Sequence, residues 1–113
     1  MHFEKRPWGE FQVLEERHGF KVKRLHVIPG GRLSLQSHVH RGEHWTVVNG
    51  IATVTVNARV TELTRTQSID IPKGAVHRLE NLHHDPVDVI EVQFGDYLGE
   101  DDIIRYADVY ERV

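Results

Sequence analysis

The chain has no cysteine among its 113 residues, which excludes disulfides, thiolate nucleophiles and sulfur-ligated zinc or iron in one step. Nowhere do more than two apolar residues stand together. A membrane-spanning helix needs about 20 mainly apolar residues and a signal-peptide core about 7–15, so neither is expected and the protein reads as cytoplasmic. A basic excess is missing as well: 14 Lys and Arg face 17 Asp and Glu, for a net charge of −3. No global field therefore recruits nucleic acid or an anionic membrane. Helical periodicity is absent until the C-terminus. Histidine, by contrast, is plentiful, with nine in the chain and three of them packed into His38, His40 and His44.

The length suits one domain, residues 1–113. Short period-two segments, cut by turn residues every ten or so positions, predict an all-β sandwich or barrel. About eight strands are expected: 10–16, 20–28, 32–40, 43–48, 51–58, 61–71, 75–81 and 87–94. Asn49-Gly50 between two β-rich segments is a strong hairpin signal. Glu100-Asp101-Asp102 places negative charge where a helix start favours it, so one or two helical turns are predicted after Leu98.

Alternation through 32–40 puts Leu33, Leu35 and Val39 on one face and Ser34, Gln36, His38 and His40 on the other. Glu43 follows a short turn, and His77 lies on a separate strand after Pro72-Lys73-Gly74. A divalent metal needs several donors converging from fixed backbone positions. Gln36, His38, Glu43 and His77 offer two imidazoles, a carboxylate and an amide oxygen, a set suited to Zn²⁺, Mn²⁺, Fe²⁺ or Co²⁺. The plainer reading of the same residues is a solvated polar strand face. Metal-binding histidines must be deprotonated, so affinity for the ion is expected to fall below about pH 6.5.

The two spaced segments, Gly30 to Gly50 and Pro72 to Asn81, resemble the paired motifs of the cupin superfamily, with Gln36 in place of the more usual first histidine. A finer resemblance runs from Arg6-Pro7-Trp8-Gly9 to Asp108-x-Tyr110-x-Arg112. It takes in Leu33-Ser34-Leu35-Gln36, Glu43-His44-Trp45, Ile71-Pro72-Lys73-Gly74, His77-Arg78-Leu79-Glu80-Asn81 and Tyr97-Leu98-Gly99-Glu100-Asp101-Asp102-Ile103. It is similar to the type II mannose-6-phosphate isomerase domain, often the C-terminal half of bifunctional isomerase/mannose-1-phosphate guanylyltransferases. Thr66 stands where the second cupin motif often begins with glycine; Val39, Leu82 and Glu111 also depart from the isomerase pattern. A guanylyltransferase half is missing, and no G-x-G-x-x-G or Walker pattern occurs, so a stand-alone isomerase domain is expected, without nucleotide transfer.

The resemblance implies a single-domain cupin, that is, a double-stranded β-helix or jelly-roll barrel, with a short C-terminal helical segment. It also implies an aldose–ketose isomerase acting on mannose 6-phosphate and fructose 6-phosphate through an enediolate, with a bound divalent metal, zinc above all. That chemistry asks for stabilised oxygen charge and a base near the carbon-bound proton. His40 and Glu91 are candidates for the base, or for a partner of a metal-bound ring; Arg105 is a candidate to hold the enediolate or to pair with Asp101 or Asp102. Lys21, Lys23, Arg32, Arg41 and Arg78 are candidate phosphate cations, and Gln93 a further substrate contact. Trp8 and Trp45 read as core or interface aromatics, His83 and His84 as exposed loop histidines. A homodimer is expected to cover the short sheet edges. Alternatives are a non-catalytic metal- and sugar-binding cupin and a cupin acting on a different sugar or sugar nucleotide.

Overall fold

A computed structural model describes residues 2–108 and 110; Glu111 and Arg112 lie outside them. The described residues contain eleven strands and no helix, so none crosses a membrane as a helix. They are β1 (His2–Arg6), β2 (Gly9–Arg17), β3 (Phe20–Val27), β4 (Leu35–Ser37), β5 (Arg41–Asn49), β6 (Ala52–Val56), β7 (Arg59–Leu63), β8 (Ser68–Ile71), β9 (His77–Glu80), β10 (Val87–Gly95) and β11 (Ile104–Ala107). Two antiparallel sheets face each other, ordered β1-β2-β3-β10-β5-β8 and β11-β4-β9-β6-β7. The all-β expectation holds.

The inward rows of β3, β10 and β5 explain where the core sits. In register, Leu25, Val89 and Val47 lie side by side; the next inward level is Lys23, Glu91 and Trp45, and the next Lys21, Gln93 and Glu43. All nine are buried. Each strand thus changes from apolar to polar at about the same height. At one end Val27, Val47, Val54, Leu79, Val87 and Val89, each at most 1% exposed, form a dry core. The other end of the interior is lined with charge.

Several local expectations are corrected. Asn49-Gly50 is no hairpin: β5 pairs with β10 and β8, whereas β6 pairs with β7 and β9, so the chain turns a corner from one sheet to the other. Gly50 has φ 80°, and a Cβ there would meet the Pro86 carbonyl oxygen at 2.3 Å. The tight hairpin lies at Asn57-Ala58, with Val56 opposite Arg59 and Asn57 at φ 47°. The segment 61–71 is two strands in different sheets, β7 and β8. The expected C-terminal helix is replaced by a turn, closed by Asp102 N–H to Gly99 O at 3.1 Å, and by β11 pairing with β4. Side-chain demands explain the change: Glu100 accepts from Lys23, and Asp102 accepts from the backbone N–H groups of Val39 and His40. Tertiary pairing outweighs a local charge preference.

Thr66 reaches φ 77°, in the left-handed region, within the connection from β7 to β8. A β-branched residue there costs roughly 1–2 kcal/mol, while glycine adds about 0.5–1 kcal/mol of unfolded-state freedom to be lost. Thr66→Gly keeps the backbone bond from Thr66 N–H to Val47 O. It is expected to stabilise the domain by about 0.5–1 kcal/mol, read as a higher urea midpoint; an unchanged or lower midpoint contradicts the strain.

Candidate metal and substrate site

The polar end of the interior is organised around Glu43 of β5. Its side chain is 1% exposed. Oε2 accepts from Arg41 Nε at 2.7 Å and Oε1 from the Trp45 indole N–H at 2.9 Å. His38, just past β4, brings Nε2 to 3.2 Å from Glu43 Oε2; His77 of β9 brings Nε2 to 3.9 Å from Oε1. One donor atom from each of His38, Glu43 and His77 lies within 4.8 Å of the others, and all three residues are buried. The two rings sit 5.0 Å apart, and the Trp45 ring stands edge-on to His77 at 5.6 Å.

Backbone carbonyls fix both tautomers. His38 Nδ1–H donates to Asp102 O at 2.6 Å and His77 Nδ1–H to Ala75 O at 3.0 Å. A carbonyl only accepts, so in each neutral ring the lone pair is on Nε2, the atom turned toward Glu43. Burial, reinforced by the Arg41 charge, pushes His38 down to about 4. Burial also lowers His77. The arrangement therefore keeps two imidazoles neutral and orients them, as metal ligation requires. Gln36 lies directly across the β4–β9 ladder from His77, and its amide nitrogen donates to Ser34, leaving Oε1 as its acceptor.

Glu91 lies beside this cluster. Its Oε2 accepts from Trp45 Nε1 at 3.0 Å and its Oε1 from Gln93 Nε2 at 2.7 Å. Burial, then repulsion from Glu43, raises its carboxyl to about 7. Glu91 shares a cavity with Lys23, Gln36, Glu100 and Arg105, walled in part by Trp8 and Phe11. Three buried side-chain atoms of the described residues have no hydrogen-bond partner: Arg41 Nη1, Gln93 Oε1 and Arg105 Nε. All three belong to residues of this polar end. Buried polar atoms are normally paired, so these three are open to a water, an ion or a polar ligand.

Of the sequence candidates, the structure brings together the donor atoms of His38, Glu43 and His77, with Arg41, Glu91 and Gln93 beside them. Gln36 stands opposite His77 on the ladder and lines the cavity shared by Lys23, Glu91 and Arg105. His40 is not among them. The alternation expected through residue 40 ends with β4 at Ser37, and the Asp102 carboxylate takes the N–H groups of Val39 and His40, turning the chain outward. The His40 side chain is 50% exposed, edge-on to Tyr97 and 3.7 Å from Asp96. Arg32 and Arg78 also lie elsewhere: Arg32 Nε donates to Glu80, and Arg78 Nε to Leu33 O. Arg105 has no ion pair with Asp101 or Asp102; it sits opposite Gln36 on β11.

Sequence reasoning missed Trp45, whose indole N–H bridges Glu43 and Glu91, and Asp102, whose carbonyl holds His38. The position of Trp45 two residues after Glu43 put it on the same inward row, a signal that was there to read. Nothing local marked Asp102, which is 64 residues away from His38 in the chain.

The family described as mannose-6-phosphate isomerase C-terminal matches residues 1–108. The xanthan biosynthesis protein XanB of Xanthomonas campestris pv. campestris is 52% identical over 107 residues, which are 95% of this chain and 23% of that protein. Mannose-1-phosphate guanylyltransferase ManC of Salmonella typhimurium is 50% identical over 108 residues, 96% of this chain and 22% of that protein. The chain thus spans less than a quarter of the length of these relatives. An RmlC-like cupin from Shewanella frigidimarina superposes with a TM-score of 0.75 at 21% identity, over 88% of this chain and 86% of that one. That likeness shows the fold alone, a cupin barrel.

The pKa shifts set the acid response of the metal-free protein. Below about pH 6.5 the unfolded chain protonates histidines that the folded protein keeps neutral, His38 down to about 4. Stability therefore falls on acidification through that window. Glu91 works in the opposite sense: between about 4.5 and 7 the folded state holds a proton that the unfolded state releases. Glu91→Gln removes this offset. In chelator, its stability is expected to fall more steeply than the wild type's from pH 7 to pH 5, by up to about 1.4 kcal/mol per pH unit. Urea unfolding across that range measures it, and parallel curves would contradict a carboxyl raised by burial.

Proposed function

The chain belongs to the mannose-6-phosphate isomerase C-terminal family, and from that membership we propose that it interconverts mannose 6-phosphate and fructose 6-phosphate. The observation that carries the reading is the joint presence of a convergent His38–Glu43–His77 donor set and a carboxyl raised to about 7 beside it. Metal binding alone needs only the first; moving a proton between two carbons needs the second as well.

The donor set fits a divalent ion. Two neutral imidazoles with their lone pairs on Nε2, a carboxylate and the Gln36 amide oxygen form a nitrogen–oxygen shell of the kind zinc, manganese or cobalt accepts. When bound, the ion supplies Lewis acidity toward the oxygen that becomes negative as the carbon-bound proton leaves.

The chain's own groups divide the remaining work. Glu91 takes the proton from one carbon and returns it to the neighbour; burial raises its carboxyl above the ordinary range and so makes it the stronger base for that exchange. Trp45 and Gln93 each occupy one lone pair of its oxygens, fixing the carboxyl while leaving acceptor capacity on each oxygen. Arg105 faces the same cavity with an unpartnered Nε and stabilises the oxygens of the enediolate. Arg41 balances the Glu43 charge; its Nη2 donates to His38 Nε2 at 3.2 Å in the metal-free protein and gives up that lone pair when an ion is bound. Trp8 and Phe11 wall the cavity with apolar surface, which strengthens these interactions by excluding water. With His40 outside this group, Glu91 is the better base.

Purified protein loaded with zinc, manganese or cobalt is expected to convert mannose 6-phosphate in a coupled assay. His38→Ala and His77→Ala should lose metal and turnover together, each by more than the roughly 10–100-fold seen when an outer partner of a metal ligand is removed. His40→Ala should bind metal as the wild type does. Absence of turnover with every one of the three ions, in protein shown to hold them, would replace the isomerase with a binding module.

A further inference from the structure

Two lysines of β3, Lys21 and Lys23, point into the interior and are only 7% and 3% exposed. Lysine is seldom buried so deeply unless paired. Among the described residues the only carboxylate within 4 Å of Lys23 Nζ is Glu100, at 2.6 Å, and the same Glu100 oxygen lies 3.8 Å from Lys21 Nζ. Lys21 also donates to Leu98 O at 2.9 Å and has Glu16 at 3.7 Å. Glu100 is not part of the barrel wall. It comes from the turn between β10 and β11, and its side chain remains 47% exposed. Arg105, with its buried Nε unpartnered, lines the same cavity as Lys23, Glu91 and Glu100.

We propose that Lys21, Lys23 and Arg105 form the seat for the phosphate monoester of the substrate, and that Glu100 is a displaceable carboxylate filling that seat in the substrate-free protein. The inference rests on the sugar-phosphate reading above and adds to it the place and the means of phosphate capture. Charge favours the exchange: among the described carboxylates Lys23 has Glu100 alone, Lys21 has only Glu100 and the exposed Glu16 at 3.7–3.8 Å, and Arg105 keeps an unpartnered Nε, whereas a phosphate monoester brings up to two charges and three acceptor oxygens. Cost favours it too. Glu100 reaches solvent by leaving an exposed turn, while the lysines stay fixed on β3 between β2 and β10. Lys23 and Arg105 of the seat line one cavity with Gln36 and Glu91, so a phosphate held between them keeps the sugar beside the proton-transferring carboxyl.

The carboxylate competes with the ligand, so removing its charge raises the fraction of protein ready to bind. Calorimetric titration of the metal-free protein with inorganic phosphate, with mannose 6-phosphate and with mannose tests this without relying on turnover. Glu100→Gln is expected to bind inorganic phosphate and mannose 6-phosphate about tenfold more tightly than the wild type, with no change toward mannose. Lys21→Met is expected to weaken both phosphate ligands, checked against an unchanged melting temperature; should that variant unfold, the Glu100→Gln titration decides alone. Phosphate binding no tighter in Glu100→Gln than in wild type overturns the proposal. Tighter phosphate binding without conversion of mannose 6-phosphate upholds the seat and removes the isomerase; conversion with no effect of Glu100→Gln does the reverse.

Discussion

A carboxylate carried into the interior is the constraint on which the rest of this barrel depends. Removing an ion the size of the Glu43 carboxylate from water costs several kcal/mol even after relaxation, and only 1% of its side chain remains exposed. Arg41 and the Trp45 indole N–H supply the compensation, and His38 and His77 close the remaining side. Both donors come from β5 itself, whereas His77 reaches over from β9 and His38 from the chain just past β4, so carboxylate and imidazoles meet between the sheets at the end where apolar packing has given way to polar groups. Arg41 cannot be lost alone: without it the carboxylate stays buried with one hydrogen bond, and the guanidinium's own place is left open.

That arrangement is affordable because stability is supplied elsewhere in the same strands. β3 and β10 carry an apolar stretch ending in Leu25 and Val89 and turn polar one inward step later, at Lys23 and Glu91, while β5 runs through Val47 and Trp45 and turns polar at Glu43. The apolar half excludes water and fixes the backbone, and rigid backbone in turn aims the polar half to within the tolerance a metal or proton-transfer site needs. The functional groups thus sit on strands, with only His38 and the 98–102 turn contributed by irregular chain.

Much of this was legible in the sequence. Period-two alternation gave an all-β barrel, and the spacing of His38, Glu43 and His77 pointed to one place, where their donor atoms lie within 4.8 Å of one another. Inference failed wherever one side chain governed distant backbone. Asp102 accepts from Val39 and His40 and so ends the alternation that would have kept His40 inward; Glu100, spent on Lys23, joins no helix. Asn49-Gly50 has a hairpin's composition, yet the same left-handed glycine serves a corner between sheets, a choice made by the partners of β5 and β6 and not by the dipeptide. A local pattern reports the conformation a residue can adopt; which strand it then faces is a property of the whole topology.

The unpartnered atoms bear on how folding and function are linked here. Arg41 Nη1, Gln93 Oε1 and Arg105 Nε are buried without acceptors or donors of their own, and each is a standing cost that the apolar half of the barrel must outweigh. A protein selected for stability alone would replace such groups with hydrocarbon, since buried ionic clusters commonly stabilise less than the apolar residues that could fill their space. Keeping them makes sense if the missing partner arrives with a ligand, because binding then satisfies atoms that the fold leaves unsatisfied and adds directly to stability through mass action. On this argument the polar end of the barrel is a region where the chain is complete in backbone and incomplete in hydrogen bonds, and the incompleteness is what it offers to a substrate.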